Sequence, residues 1–228
     1  MSGAPRLVLA SRSPQRRAIL EQLGVPFRVE VPEVEELAEG LDPVALAVAN
    51  ARLKALAVLR AGEGSAVLRA GPVAGSGASA SASSAEPSGP APPARSASEG
   101  PSLPVLGVDT VVVVDGEVFG KPADAEAARA MLARLGGRAH EVVSGICVAR
   151  SGEGPRTAAV TTRVRFRDLG DALLDWYLAT GEWRERAGGY AIQGRGAALV
   201  AGIEGDYLNV VGLPVATLLE HLPTLLRD

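Results

Sequence analysis

The run Val105-Leu106-Gly107-Val108-Asp109-Thr110-Val111-Val112-Val113-Val114 leaves the chain fewer structural options than any other stretch. β-Branched residues favour a pleated backbone, and the Asp115-Gly116 pair that follows supplies the positive φ angles of a two-residue hairpin turn. The expected product is a long strand, a tight turn and a short return strand over Glu117-Val118-Phe119, closed by the turn Gly120-Lys121-Pro122. Apolarity that does not alternate requires cover on both faces of the first strand. Asp109 breaks the run. An ionised carboxylate beside a core is costly unless a cation, a metal or converging donors compensate it. Lys121, past the return strand, would bring a base to the same edge. An Asp at a strand end and an ordinary surface Lys, both facing water, account for the same residues.

At 228 residues and 47% hydrophobic, the chain has ample material for a core. One domain is expected over residues 1–228, interrupted by a low-complexity segment at about 61–104. That segment is rich in Ala, Gly, Ser and Pro, with few large apolar side chains. It cannot bury enough surface to offset its ordering entropy and reads as a disordered insertion between a helix and the central strand. A net charge of -3, arginines scattered among acidic residues and 4% aromatics give no basic stripe, so no nucleic-acid partner is expected. No apolar segment approaches the ~20 residues of a membrane span, and Leu7 to Ala10 is shorter than a signal-peptide core of ~7 to 15 residues. The single cysteine, Cys147, excludes an internal disulfide and suits a reducing compartment. A cytoplasmic protein without a membrane partner is expected.

Arg6 to Ala10 reads as a short buried strand. Ser13 as N-cap, Pro14 at the first helical position and Gly24 after the end delimit a helix. Arg16 and Arg17 fall in its first turn, the wrong end of the helix dipole for cations. An anion held by the free N–H groups, serine hydroxyls and an Arg fork would resolve the conflict, with phosphate the natural candidate; two solvated arginines are the alternative. Phe27 to Val31 reads as a strand leading into the acidic loop Glu33-Val34-Glu35-Glu36. Such a loop is either simply solvated or, beside a phosphate site, able to hold magnesium through Glu35 or Glu36. A second helix is expected from Asp42 and Pro43 to about Arg60, its core stripe formed by Leu46, Ala49, Leu53 and Leu56. Asn50 and Lys54 adjoin that stripe, one turn apart.

Asp124 caps a further helix that stops at Gly136-Gly137. Strands over Glu141 to Val143, Ile146 to Arg150 and Thr157 to Phe166 follow, the last two joined by a hairpin at Ser151-Gly152-Glu153-Gly154, and then a helix over Asp171 to Thr180. His140 and His221 lack ligand spacing and are assigned to no metal. The glycine-rich Ala187 to Ala197 implies close backbone approach, either to a nucleobase edge read by the Gln193 amide or within a tight strand-turn-strand. Asn209 to Pro214 reads as a strand turning into a helix with Pro214 at its first position.

Taken together, Leu9-Ala10-Ser11-Arg12-Ser13-Pro14-Gln15-Arg16-Arg17, Lys54-Ala55, Asp109-Thr110-Val111, Gly120-Lys121-Pro122, Ile192-Gln193-Gly194 and Val211-Gly212-Leu213-Pro214 are similar, in this order, to the motifs of the Maf family of nucleoside triphosphate pyrophosphatases. The resemblance spans nearly the whole chain outside residues 61–104. It implies an α/β fold of the Maf/ITPase-like kind, a mixed twisted sheet with flanking helices in two lobes around a deep cleft. It also implies a homodimer and hydrolysis of the α-β phosphoanhydride to a nucleoside monophosphate and pyrophosphate. Asp109 then matches the general base, Ser11, Arg16, Lys54 and Lys121 the phosphate ligands, and Glu36 with Asp109 the holders of a divalent cation, magnesium or manganese. Base choice falls to Gln15, Thr110 and Gln193. The Asp-Thr and Ile-Gln-Gly patterns resemble members acting on dTTP and UTP, whereas members acting on 7-methyl-GTP have Gln and Glu at the last two positions. Gln15 departs from both groups, which carry Arg and usually Trp there. The same residues would serve a pyrophosphatase for modified nucleotides or a nucleotide-sensing regulator of septum formation.

Overall fold

The computed structural model describes residues 3–38, 41–69 and 103–227, with the side chains of 64–69 left aside. In chain order the elements are β1 (Leu7–Ala10), α1 (Pro14–Gln22), β2 (Phe27–Val29), α2 (Pro43–Arg69), β3 (Val105–Val114), β4 (Glu117–Phe119), α3 (Ala125–Leu135), β5 (Ala139–Ala149) and β6 (Arg156–Phe166). After these come α4 (Asp171–Ala179), two 3-10 turns (Ala187–Gly189 and Arg195–Leu199), β7 (Val200–Glu204), α5 (Tyr207–Val211) and α6 (Val215–His221). No helix among the described residues is long and apolar enough to cross a membrane.

The strands form one seven-stranded mixed sheet in the order β2-β1-β3-β5-β6-β7, with β4 paired to β3. β1 runs parallel to β2 and β3, and all other pairs are antiparallel. The Asp115-Gly116 turn has positive φ at both residues, 51° and 79°, as the hairpin requires. β5 accompanies β3 along one edge without a break, from Val105↔Ala149 to Val113↔Glu141. The other edge is shared: β1 takes Val105 to Gly107 and β4 takes Val112 to Val114. Between them the sheet forks, and Asp109 and Thr110 lie at the fork.

Both faces of β3 are covered, but by different cores. On one face Leu106 and Val108 belong to a cluster with β1, α1 and α6, whereas Val112 and Val114 belong to a cluster with α3, α4 and β6. Thr110 is the polar step between the two. On the opposite face Asp109 separates Val105 from Val111 and Val113. The alternation of a strand thus places one polar residue per face at the same level, where the two cores part.

Helix α2 covers the second face and departs from the expected stripe. Its buried residues are Leu46, Ala47, Asn50, Ala51, Lys54, Ala55 and Val58, while Ala49, Leu53 and Leu56 are only half-buried. The reason is proximity. A Cβ added to Gly107 would meet the Ala51 carbonyl oxygen at 2.1 Å, and one added to Gly145 would meet the Ala47 carbonyl carbon and oxygen at 2.2 Å. Alanine against glycine lets the helix backbone lie directly on β3 and β5, and larger residues turn to the sides. The helix also continues past Arg60 to Arg69, so the start of the expected insertion is helical; most of that segment lies outside the described residues.

Other boundaries shift as well. Glu141–Val143 and Ile146–Arg150 merge into the single strand β5, and β7, unexpected from the sequence, closes the sheet. Asn209 to Val211 is part of helix α5 instead of a strand, because the Asn209 amide donates to the carbonyl oxygens of Val142 and Val160 and to Thr162 Oγ1. The glycine-rich segment resolves into 3-10 turns, with Gly188 and Gly189 at positive φ.

His140 lies at the start of β5 inside the aromatic part of the core. Its Nε2 is 2.8 Å from Tyr190 Oη, its ring meets Phe166 edge-on at 4.9 Å, and its Nδ1 is buried without a partner among the described residues. Burial lowers its pKa to about 4. The unfolded chain takes up this proton near pH ~6.5 and the folded chain only near the lower value, so acid favours the unfolded state across that window by about 3 kcal/mol. The difference in urea-unfolding free energy between neutral pH and pH ~4 should therefore shrink by about that amount in His140→Phe. An unchanged difference would assign the acid sensitivity to other groups.

Candidate active site

A cleft of about 1340 Å³ opens at the fork of β3, and all nine residues singled out in the sequence line it: Ser11, Gln15, Arg16, Glu36, Lys54, Asp109, Thr110, Lys121 and Gln193. Asp109 is 7% exposed, and its charge is met from α2. Lys54 Nζ lies 2.7 Å from Asp109 Oδ1 and 2.9 Å from Glu36 Oε2. One turn earlier Asn50 donates to Asp109 Oδ2 at 3.3 Å, while its amide exchanges hydrogen bonds with both backbone groups of Leu37. Positions i and i+4 share a helix face. One face of α2 therefore reaches both oxygens of the carboxylate and anchors the loop that carries Glu36.

Arg16 occupies the other side of Thr110. It is buried, with Nε donating to Gly212 O at 2.9 Å, Nη1 to Ser11 Oγ at 2.9 Å and Nη2 to Thr110 Oγ1 at 3.1 Å. For Arg16 the expected conflict with the helix dipole is thus met by protein acceptors. Burial lowers the pKa of Arg16, and the charges of Asp109 and Glu36 act in the opposite sense. Ser11 Oγ also accepts from the Ser13 N–H at 3.2 Å. With both lone pairs taken, its own O–H is left as a donor, and Ser11 lines the cleft.

On the far rim the hairpin brings Lys121 to the same cleft as Asp109, but the two do not pair. Lys121 pairs with Glu185 at 2.8 Å, in an exposed ion pair, and not with Asp109. Glu185 has φ 58°, unusual for a residue with a side chain. Its neighbour Arg186 also lines the cleft; burial lowers the Arg186 pKa, and its Nε has no partner among the described residues. Gln15 Oε1 accepts from Ser13 Oγ at 3.1 Å. Gln193 is exposed, on a turn steadied by the Arg195 N–H donating to Glu182 Oε2 at 2.7 Å. Asn50 drew notice in the sequence only as a neighbour of Lys54, and Ser144, Glu185 and Arg186 drew none. A break in the apolar pattern of β5 is the only signal for Ser144, which lies opposite Thr110.

Among the described residues, no group of three or more His, Cys, Asp or Glu side chains gathers into a metal site. The acidic groups that converge are Asp109 and Glu36, both on the Lys54 ammonium. Through their oxygens, these two carboxylates are the residues here that could hold a divalent cation.

Similarity to known proteins covers almost the whole chain. It is 42% identical over 211 residues to the dTTP/UTP pyrophosphatase of Symbiobacterium thermophilum, covering 92% of this chain and 89% of that one. It is 44% identical over 222 residues to the dTTP/UTP pyrophosphatase of an Anaeromyxobacter species, covering 95% and 88%. The protein of that name from Moorella thermoacetica is 41% identical over 218 residues, covering 95% and 93%. A crystal structure of a nucleoside-triphosphatase / dITP/XTP pyrophosphatase from Mycobacterium abscessus aligns over 97% of this chain and 96% of its own, at 17% identity and a TM-score of 0.41, too distant to carry an argument. Residues 6–225 match the family described as Maf-like protein, and the chain belongs to that family.

Proposed function

We propose that this protein is a nucleoside triphosphate pyrophosphatase that cleaves between the α and β phosphates of dTTP and UTP. The observation that carries the reading is the fork of β3, where a carboxylate held by Lys54 and Asn50 and a buried arginine face one cleft. Its volume exceeds the ~300–1,000 Å³ of ordinary small-molecule sites, room for a nucleotide with its triphosphate. The relatives named dTTP/UTP pyrophosphatase support the substrate class.

In this reading Asp109 accepts a proton from the attacking water. The anhydride bond breaks, and monophosphate and pyrophosphate leave. The Ser11 hydroxyl donates to a phosphate oxygen, and Arg16, Lys54 and Lys121 offset the negative charge that builds on the leaving group. Engaging phosphate draws Lys121 from Glu185 and Lys54 from its carboxylates. Glu36 and Asp109 are then the residues that would hold magnesium or manganese. When bound, such an ion supplies charge neutralisation and orientation of the phosphates. Gln15, Thr110 and Gln193 face the base.

The test is turnover of a nucleotide panel with and without magnesium, separating monophosphate plus pyrophosphate from diphosphate plus phosphate. The expected result is monophosphate and pyrophosphate, fastest on dTTP or UTP and lost in chelator. Release of inorganic phosphate would refute the bond assignment, and a best rate on a methylated nucleotide would refute the substrate.

A further inference from the structure

Ser144 lies beneath the cleft at the β5 position paired with Thr110, and it is 0% exposed. Its hydroxyl is 2.9 Å from Thr110 Oγ1, with either atom able to donate. Thr110 Oγ1 also receives a hydrogen bond from Arg16 Nη2, and a guanidinium only donates. A hydroxyl has one proton and two lone pairs, so two arrangements remain. If Ser144 donates, both Thr110 lone pairs are filled and the Thr110 proton is free for the cleft. If Thr110 donates, one of its lone pairs is open to the cleft, and the Ser144 proton is buried with no acceptor among the described residues. An unsatisfied buried donor is penalised strongly enough to decide the matter.

We propose that Ser144 is a specificity-determining residue that acts through Thr110, fixing that hydroxyl as a donor so that the cleft accepts a carbonyl oxygen there and rejects an amino group. The inference rests on the nucleotide pyrophosphatase reading and deepens it. Where uracil and thymine carry an exocyclic carbonyl, cytosine carries an amino group, which would meet the Thr110 proton head-on. Selection against cytidine nucleotides is thus set by a residue that never touches the base, through the order of donors in the chain Arg16, Thr110, Ser144. A site built on fixed polarity rejects the wrong partner by leaving its polar groups unpaired.

The test measures kcat/KM for UTP and CTP, and binding of UMP and CMP by calorimetry, in the wild type and in Ser144→Ala. Without Ser144, Thr110 can donate or accept, so the UTP to CTP ratio falls about tenfold, carried by a rise for CTP. A merely structural role would lower both nucleotides together. Ser144→Thr keeps the hydroxyl and retains the wild-type ratio. Thr110→Val lowers the ratio from the other side, by loss on UTP, and adding Ser144→Ala to it changes the ratio no further. A ratio that stays within about twofold of wild type in folded Ser144→Ala, or a uniform loss on both nucleotides, overturns the inference alone. A wild type that neither hydrolyses nor binds pyrimidine nucleotides overturns the reading beneath it, and the inference with it.

Discussion

Asp109→Asn is expected to lower turnover by about 10³-fold or more while leaving binding of a non-hydrolysed nucleotide nearly intact, since general base contributions lie at ~10²–10⁴. The substitution changes little in volume. The amide keeps one oxygen acceptor but puts an NH2 in place of the other, which meets either Lys54 or Asn50 donor to donor, where Asp109 accepts from each through a separate oxygen. It also takes no proton from water at neutral pH. Steady-state rates on UTP and calorimetric binding of UMP separate the two effects. Near-normal turnover would remove Asp109 from the base role, and equal loss of binding and rate would recast it as a ligand-holding group.

Gly145→Ala should lower stability by about 3 kcal/mol, the upper end of ordinary overpacking. The new Cβ would lie 2.2 Å from the carbonyl carbon and oxygen of Ala47 and 2.4 Å from the Val48 nitrogen. These are backbone atoms of one helix against one strand, so neither side can yield by a rotamer change. α2 would have to lift from the sheet, carrying Lys54 and Asn50 away from Asp109, so turnover should fall with stability. Urea unfolding and activity measured on the same sample check both effects. A loss under about 1 kcal/mol would show that α2 rides on the sheet with room to spare.

The sequence was readable where a local rule governs. The Asp115-Gly116 hairpin, the Ser13 and Asp124 caps and the antiparallel β5–β6 pair follow from turn and capping chemistry within a few residues, and all are present. Reading failed where tertiary contact overrides the pattern. On α2 the middle of the buried face, between Leu46 and Val58, is alanine, asparagine and lysine, and hydropathy favours Leu53 and Leu56 beside it. Only the glycines of β3 and β5, on distant segments, explain why the small face turns inward. α5 carries the β-branched Val210 and Val211 but is held as a helix by the long-range bonds of Asn209. At the site, Asp109 and Arg16 announced themselves by breaking a rule. Ser144 broke an apolar run with one small hydroxyl residue, a signal any buried serine would give.

The two cores of this protein are not two bodies joined by a joint. β3 and β5 run through both, with their ladder intact from Val105↔Ala149 to Val113↔Glu141. Flexing one half against the other would bend two paired ten- and eleven-residue strands at the level of Asp109 and Thr110, breaking hydrogen bonds at the place where geometry matters most. The jaws of the cleft are therefore two ends of one beam. Its floor is set at folding, so little conformational entropy remains to be lost when a ligand settles on it.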